Sequence, residues 1–416
     1  MKNKKTIFLF DLNSFFALAE KARRPELKNA EIAIGKNNSH AIAVALTPGI
    51  KQKGGYVGMP IYKLKKIDPN IVFIDPDHSY YVNLSNSIFN FLKDKYTSKI
   101  QVSSIDEAYL DVTDILFEQR IKYKELAESI INDVQKYFNV TTSIGISSNM
   151  FLAKMASEFN KVNGYSTCFE NEIETKLWTL DISKMYGVGH ALKKYFNDIN
   201  INTIGDLANI QKNPKLTNKV SRDLGIRFNE LLANANGYGK NNLDFDYGQA
   251  KSISKQITLM YKISDFQQAS KLIKTISENV SKNLSKSKLE GNRINLLMRT
   301  NKFDQKDISQ TLSNYIFEAK DIYFHALNLF EKIWKNEELF KGIRITISNL
   351  RSVNSRAKQL KFFDDKEKIS EEFYLKKINN KIGFEALITG ENFENNPKFD
   401  SGDVFKSSKV KFKSWK

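Results

Sequence analysis

Cysteine and long apolar runs are both scarce in this 416-residue sequence, and their scarcity excludes whole classes of protein. A single cysteine, Cys168, leaves no internal disulfide framework and no thiolate-rich metal site. The longest apolar runs fall well short of the ~18 residues that a membrane-spanning helix needs, so we expect no membrane span. A reducing, cytoplasmic setting fits both features.

The N-terminus superficially resembles a signal peptide, because basic residues precede a short apolar stretch. That stretch ends at Asp11, and no small-residue cleavage site follows it. We therefore interpret residues 5–11 as a first strand.

Acidic residues are outnumbered by basic ones. Lysine and arginine number 64 against 47 aspartate and glutamate residues, which gives a formal net charge of +17. A surface of this kind attracts polyanions, of which nucleic acid is the commonest. Net charge alone does not distinguish a protein that binds nucleic acid from one that is merely soluble and rich in lysine.

With 41% apolar residues, the chain can bury real cores, and its length predicts two to four domains.

Strand and helix patterns alternate through the first 168 residues, which predicts an α+β sheet domain. Glycine and proline over 47–60 indicate turns and loops, and Ser148-Asn149 offers a helix N-cap. The predicted strands are 5–11, 40–46, two strands joined by a tight turn within 100–113, and 140–147; the predicted helices are 79–95, 118–138 and a last one ending at Phe159.

Short helices follow over residues 170–236. Within them, the segment YGVGHALKKYFNDININTIGDLA over 186–208 resembles a helix-hairpin-helix. Glycine at 187 and 189 would let backbone N–H groups approach a phosphate at a helix N-terminus.

A second α+β unit is predicted after a linker. Between 251 and 353 there are 18 basic and 10 acidic residues, a net charge of +8, so about half the excess charge lies on a quarter of the chain. Alternation predicts basic and polar groups, including Lys251, Lys255 and Arg344, on an open sheet face that could follow a phosphate backbone. A solvated sheet face is the alternative. The predicted strands are 251–262, 292–300, 308–312 and 342–350, and the predicted helices are 265–288 and 314–335.

Three carboxylates lie at a strand end or a tight turn, where they could bind metal ions together. Asp11 ends an apolar strand, and Asp106 and Glu107 lie at the tight turn between two strands. Strand ends are rigid, and carboxylates from neighbouring strands can converge there on hard cations such as Mg²⁺. Two such ions ~3.5–4 Å apart could activate an attacking oxygen and hold a leaving pyrophosphate. Taken singly, each residue has an ordinary interpretation as a cap, a turn or a surface group.

Several motifs together resemble the Y-family of DNA polymerases. They occur in that family's order, and the pair S-I-D-E-A-Y-L-D and D-x-N-x-F-F-A is specific. The resemblance covers roughly residues 4–353, and the D-x-N form is more similar to the UmuC-like (ImpB/MucB/SamB) branch than to the related DinB branch. The motifs are FDLNSFFALAE (10–20), SSIDEAYLDVT (103–113), TTSIGISSNMFLAKMASEFNKVNG (141–164), the GVG…TIGDLA hairpin and KSISKQIT (251–258).

The resemblance implies an α+β, right-hand polymerase. Such a polymerase would have a ferredoxin-like palm, small fingers, a helical thumb with a helix-hairpin-helix, and a separate α+β little-finger domain. The implied boundaries are palm 1–12 and 80–168, fingers 13–79, thumb 169–236, linker 237–247, little finger 248–353 and C-terminal tail 354–416.

The resemblance also implies a two-metal site. Asp11, Asp106 and Glu107, with the backbone carbonyl of Leu12, would bind two Mg²⁺ ions, and Mn²⁺ could substitute. Asn13 is not an expected ligand.

Nucleotide and DNA contacts are implied by the same motifs. Phe16, with Phe15 beside it, falls on the steric-gate position, where an aromatic ring under the sugar leaves no room for a 2′-hydroxyl. Lys161 and Lys51 match positions that hold the triphosphate, whereas Pro48 stands where a phosphate-binding tyrosine is common. The implied DNA-binding residues are Gly187, Gly189, Lys251, Lys255, Arg299 and Arg344.

The tail contains the segment QLKFF, which is similar to the peptide with which bacterial polymerases bind the sliding clamp. Gln359 would form hydrogen bonds, and Leu360, Phe362 and Phe363 would fill an apolar groove. The alternative is a segment that packs on its own domain. We expect a monomer, and a UmuD-type partner is left open.

The function that follows is template-directed DNA synthesis of the translesion type, error-prone and without proofreading, on primer–template DNA with an incoming dNTP. A nucleotidyl cyclase-like palm enzyme is an alternative, but a cyclase needs neither the hairpin nor the basic second domain. A catalytically inactive DNA-binding scaffold is another alternative, and the intact set of three acids argues against it.

Overall fold

The computed structural model describes residues 5–36, 41–161, 163–244, 250–300, 304–335 and 338–353. The chain divides into two compact units, Met1–Gln249 and Ala250–Lys416. Over the described residues, the structure contains no helix with the length and apolar character needed to cross a bilayer.

The first unit is a mixed α/β unit. Its strands are β1 (Ile7–Leu12), β2 (Ile32–Ile34), β3 (Ala45–Leu46), β4 (Val72–Ile74), β5 (Ile100–Val102), β6 (Glu107–Asp111), β7 (Thr142–Ser147) and β8 (Tyr165–Thr167). Its helices are α1 (Phe15–Arg23), α2 (Pro48–Gln52), α3 (Ile61–Ile67), α4 (His78–Lys95), α5 (Thr113–Glu118), α6 (Tyr123–Phe138), α7 (Met150–Ser157), α8 (Ile173–Lys176), α9 (His190–Asp198), α10 (Ile204–Ala208), α11 (Pro214–Leu224) and α12 (Ile226–Ala235).

A five-stranded sheet in the order β5-β6-β1-β7-β8 forms the centre of this unit. β1 pairs antiparallel with β6 and β7, and all six of its residues are buried. Phe8 and Phe10 pack in one apolar cluster with α4 and α6, whereas Ile7 and Leu9 pack on the opposite face with Ala153 of α7. The central strand therefore holds Asp11 between two covered faces.

Gly145 sets the distance between β7 and α7. A Cβ atom at this position would lie 1.9 Å from the carbonyl oxygen of Ala153 and 2.4 Å from the backbone nitrogen of Ser157. Only glycine leaves room for a helix this close to the sheet. The close approach fixes the backbone of α7 against the end of the sheet that carries Asp11.

Two local predictions for the first unit are wrong. The predicted strand over 40–46 shortens to β3, because its partner β2 is three residues long and pairs with only two of its residues. The predicted single helix over 118–138 is divided between α5 and α6, because Arg120 adopts a left-handed conformation with φ 53°.

The second unit has the predicted two helices over four strands. A sheet in the order β11-β10-β12-β9 packs against both helices around an apolar core, and all of its neighbouring strands are antiparallel. Its elements are β9 (Ser252–Ile263), α13 (Phe266–Ser287), β10 (Leu289–Thr300), β11 (Gln305–Ile316), α14 (Ala319–Ile333) and β12 (Phe340–Ser352).

The third strand of this unit is longer than predicted. β11 has 12 residues where the sequence indicates a short strand over 308–312. It is an edge strand with many exposed polar residues, so its apolar alternation is weak, and its length follows from its pairing along β10.

The predicted position of Lys255 on the open sheet face is wrong. Lys255 pairs with Ile345, which is fully buried among the core residues under the helices. Because paired residues point to the same face, Lys255 lies on the helix-covered side, and its side chain is exposed at the edge strand. Lys251 precedes the first residue of β9. Gln256 is paired directly with Arg344 and shares the open face with that arginine.

Candidate active site

The three predicted acids meet at one end of the central sheet. Asp11 and Glu107 are directly paired across β1 and β6. The backbone N–H of Leu12 donates to the carbonyl oxygen of Asp106 at 2.9 Å, so Asp106 lies beside the end of β1. Residues about 95 positions apart in the sequence are thus brought together by strand pairing.

A lysine that the sequence analysis missed lies between two of these acids. The ammonium of Lys154 donates to Glu107 Oε1 at 2.9 Å and lies 3.8 Å from Asp11 Oδ2. It also donates to Glu158 Oε1 at 3.0 Å, and the residue is only 8% exposed. The sequence contained a signal for this residue. Lys154 is the single charged residue of α7, and a lysine that is buried needs an anionic partner.

Burial controls the charge of Asp11. Burial raises the pKa of its carboxyl to about 6; the charges of Lys161 and Lys154 oppose the rise, and those of Glu107 and Asp106 add to it. For Lys154, burial disfavours the charged form, but its contacts with Glu107 and Glu158 outweigh burial and raise the pKa above the ordinary lysine value. The ammonium of Lys154 is therefore charged at neutral pH.

The donor set of three carboxylates suits a hard divalent cation by its chemistry, but the ammonium of Lys154 already pairs with two of them. Among the residues that the structure describes, no group of three or more His, Cys, Asp or Glu side chains is arranged to hold a metal ion. The ammonium lies between Asp11 and Glu107, and Asp106 Oδ1 accepts a hydrogen bond from Ser104. Carboxylate oxygens are the ligands that Mg²⁺ prefers, and a cation already bridges two of them. The residues fit a metal that displaces this cation.

Two further lysines lie at the same end of the sheet. Lys161 Nζ is 3.3 Å from Asp11 Oδ2 and 2.8 Å from Glu158 Oε1. Lys51, on α2, donates to Ser14 Oγ at 2.9 Å, and its pKa is lowered by burial and by the charge of Lys161. The two predicted triphosphate lysines are thus neighbours in space.

Phe15 and Phe16 have different environments. Phe15 is 4% exposed and belongs to the main core. Phe16 is half-buried, and its ring stacks on Tyr81 with 4.3 Å between centroids and 14° between planes. The Tyr81 hydroxyl donates to Glu20 Oε1 at 2.7 Å, and Glu20 is fully buried. The Phe16 ring is therefore held in one orientation from behind.

The hairpin of short helices exposes backbone at its glycines. Gly187 has φ 93°, and its carbonyl oxygen accepts a hydrogen bond from Arg227 at 3.1 Å. Gly189 caps α9, and a Cβ atom there would meet nothing within 4 Å. The first N–H groups of a helix have no partner within it, so this open end can donate to an anion.

The open face of the second unit carries arginines. Register places Arg293 and Arg299 on the same face as Arg344. The Nε atoms of Arg299 and Arg344 are buried and have no hydrogen-bond partner within the described residues. The predicted clamp-binding residues Gln359, Leu360, Phe362 and Phe363 lie outside the described residues.

Family comparisons cover most of the chain. Residues 10–158 match the impB/mucB/samB family, residues 250–362 match the impB/mucB/samB family C-terminal domain, and residues 170–201 match the IMS family HHH motif. The predicted helix-hairpin-helix is thereby confirmed.

Curated relatives span nearly the whole chain. DNA polymerase IV of Oceanobacillus iheyensis is 30% identical over 400 residues, which cover 93% of this chain and 92% of that protein. DNA polymerase IV of Ureaplasma parvum serovar 3 is 30% identical over 88% of this chain and all of its own length.

Solved structures show the same fold. A Y-family DNA polymerase chimera of Dbh and Dpo4 superposes with a TM-score of 0.71 at 24% identity, covering 83% of this chain and 99% of its own. The insertion ternary complex of Dbh DNA polymerase gives a TM-score of 0.59, also at 24% identity, over 83% of this chain and 99% of its own. The fold is that of a right-hand polymerase.

The chain belongs to the impB/mucB/samB family, the Y-family DNA polymerases. Although its D-x-N motif favours the UmuC-like branch, the relatives named DNA polymerase IV support a DinB-like member.

Proposed function

We propose that the acids at the end of β1 catalyse nucleotidyl transfer; the protein is a DNA-directed DNA polymerase of the translesion type. The observation that carries the proposed site is the meeting of Asp11, Asp106 and Glu107, beside Lys51 and Lys161, at one end of the sheet. The relatives carry the name DNA polymerase IV.

The reaction joins the primer 3′-oxygen to the α-phosphorus of an incoming deoxynucleotide and breaks that phosphorus's bond to pyrophosphate. Two Mg²⁺ ions, which Mn²⁺ could replace, held by Asp11, Asp106, Glu107 and the carbonyl of Leu12, would lower the pKa of the attacking hydroxyl and neutralise charge on the leaving pyrophosphate. The rigid strand ends orient the acids for in-line attack.

Lys161 and Lys51 bind the triphosphate in this proposal. Both ammonium groups lie at the acidic end of the sheet, and Lys161 gives up Asp11 and Glu158 to contact phosphate oxygens. Lys51 is held by Ser14 at the start of α1. Pro48 begins α2 and offers no side-chain donor, so the lysines supply the side-chain contacts on this side.

Phe16 selects the sugar. Its ring is fixed by the stack on Tyr81, which in turn bonds to the buried Glu20. A rigid ring under the sugar excludes a 2′-hydroxyl by steric overlap. Phe15 supports the same helix from within the core.

Primer–template DNA binds through backbone phosphate contacts. The open N-terminus of α9, with Gly187 and Gly189, suits a phosphate of one strand. Arg299 and Arg344 on the open face of the second unit suit further phosphates. Lys251, which precedes β9, remains a candidate, whereas Lys255 lies on the helix-covered side and is not proposed as a contact.

The C-terminal segment QLKFF is proposed to bind a sliding clamp, on the strength of its sequence alone. A matching peptide and a version with Phe362 and Phe363 changed to alanine should differ in clamp binding, measured by fluorescence anisotropy. A UmuD-type partner stays open, and a monomer is expected.

Primer extension across an abasic site tests the function. Asp106→Ala should abolish nucleotide insertion while primer–template binding stays near the wild-type level. Insertion by Asp106→Ala at the wild-type rate would refute the metal role. Formation of cyclic nucleotide without primer or template would favour a cyclase instead.

A further inference from the structure

Lys154 lies between Asp11 and Glu107, two of the acids that the proposed function assigns to metal binding. Its ammonium contacts carboxylates from three segments, at 2.9 Å from Glu107, 3.0 Å from Glu158 and 3.8 Å from Asp11. These distances describe one cation shared among three anions rather than a single surface ion pair. The side chain is nearly buried, so its charge is poorly screened by water.

The backbone that carries Lys154 cannot move aside easily. α7 is pressed against β7 at Gly145, where even one added carbon would overlap with backbone atoms. Every residue from Phe151 to Ser157 is buried. A divalent ion at Asp11 and Glu107 must therefore displace the ammonium alone, which is possible because the lysine stem is long and flexible.

Glu158 can pair with the ammonium of Lys154 after its displacement from Asp11 and Glu107. It lies one turn after Lys154, is 44% exposed at its side chain, and already bonds to that ammonium. Glu158 is also held by Lys161 at 2.8 Å. If a triphosphate drew Lys161 away from Glu158, Glu158 could pair with Lys154 alone, and the ammonium could leave its position between Asp11 and Glu107.

We propose that Lys154 is the internal counter-cation of the catalytic acids: it holds Asp11 and Glu107 together before metal arrives and competes with the metal for them. The consequence is weak metal binding without nucleotide and stronger binding once a triphosphate engages Lys161. This role rests on the proposed metal site, and Lys154 acts as a positioning residue rather than a catalytic one.

Manganese binding to the full-length, nucleotide-free protein tests the competition. Free Mn²⁺ can be measured by electron paramagnetic resonance during titration of the wild type, Lys154→Met and Lys154→Arg. Lys154→Met keeps the length of the side chain and removes its charge, so its affinity should rise at least about tenfold, as expected when a charge a few ångströms from the ion is lost. Lys154→Arg keeps the charge and should stay near the wild type.

A second measurement follows the wild type itself, and a variant serves only to assign the signal. Nitrogen-15 NMR of lysine-labelled protein reports the ammonium of Lys154, assigned by its loss in Lys154→Arg. Addition of Mg²⁺ should shift this signal over the same concentration range that occupies the acid site. An unchanged signal overturns the proposal.

Mn²⁺ binding by Asp11→Asn distinguishes failure of the counter-cation proposal from failure of the proposed metal site. If Asp11→Asn abolishes Mn²⁺ binding and Lys154→Met binds no more tightly than the wild type, the counter-cation role is wrong and the metal site stands. If Asp11→Asn binds Mn²⁺ as the wild type does, both the metal site and the role of Lys154 are overturned.

Discussion

At the scale of single residues, the charge on Asp11 depends on its burial and on the lysines beside it. Asp11 lies in a fully buried strand, and its pKa of about 6 exceeds the ordinary value of 3.8 because burial disfavours the carboxylate. Lys161 and Lys154 offset only part of that cost. A divalent ion would offset more, since metal binding favours the deprotonated ligand.

Asp11→Asn should therefore change the pH dependence of stability in metal-free protein. The folded pKa of Asp11 lies above its unfolded value, so its contribution to stability is complete below about pH 4 and is lost as the pH rises through 6. Relative to the wild type, Asp11→Asn should gain about 2–3 kcal/mol between pH 4 and pH 7. Thermal unfolding with a chelator measures this, and a difference between the two proteins that does not vary with pH would contradict it.

Phe16→Ala should admit ribonucleotides. Removal of the ring that stacks on Tyr81 leaves space for a 2′-hydroxyl, so ribonucleotide insertion should rise at least about tenfold relative to deoxynucleotide insertion. Single-nucleotide primer extension with both sugars measures the ratio.

Phe15→Leu is the matched control for that experiment. Phe15 is a core residue, so its replacement should lower the free energy of unfolding by about 1–2 kcal/mol and leave the sugar preference unchanged. A change of preference in Phe15→Leu, or none in Phe16→Ala, would place the gate elsewhere.

Sequence reasoning placed the three acids at a strand end and a tight turn, where the structure has them, but did not identify the side chains that contact them. Asp11, Asp106 and Glu107 were predictable because strand ends and tight turns are visible as patterns in the chain. Lys154, Tyr81 and Glu20 were not predicted as site residues, because their roles depend on which side chains packing brings within 3 Å or so of each other.

At the scale of elements, the site depends on how tightly α7 lies against the sheet. The start of α7 was predictable, since Asn149 caps it by accepting from the N–H of Leu152. The contact of Gly145 with Ala153 and Ser157 was not, because a glycine within a strand does not reveal what approaches it. The error at Lys255 has a different cause. Ile253, Lys255 and Ile257 lie two residues apart, so all three share one face of the strand, and pairing with Ile345 shows that this is the helix-covered face.

Gly145→Ala should displace α7 and with it Lys154. The added carbon would lie 1.9 Å from the carbonyl oxygen of Ala153, so the helix or the strand must shift. We expect a loss of about 3 kcal/mol in the free energy of unfolding, measured in urea, together with loss of polymerase activity.

Gly189→Ala is the control, because a Cβ atom there meets nothing and φ is −86°. Its stability should stay within about 0.5 kcal/mol of the wild type. Equal stability of Gly145→Ala and the wild type would show that α7 has room to move.

At the scale of the whole molecule, two compact units carry the +17 charge of the chain. Composition and strand–helix order predicted the α+β fold of both units, because each follows from patterns that recur over many residues. The exact lengths of edge elements such as β11 were not predicted, since pairing rather than apolar pattern sets them. Recognition of the family came from short motifs whose residues meet only in the folded chain.

Primer–template binding by the full-length protein should weaken steeply with salt, because each phosphate contact releases counterions. Arg344→Ala removes a cation from the open face of the second unit, so the slope of log affinity against log salt should fall by about one. Lys255→Ala removes the same charge from the helix-covered side and should change the slope less. Fluorescence anisotropy at several salt concentrations measures both variants. Equal effects of the two substitutions would show that binding follows net charge rather than the open face, and a larger effect of Lys255→Ala would place the DNA along the edge strand.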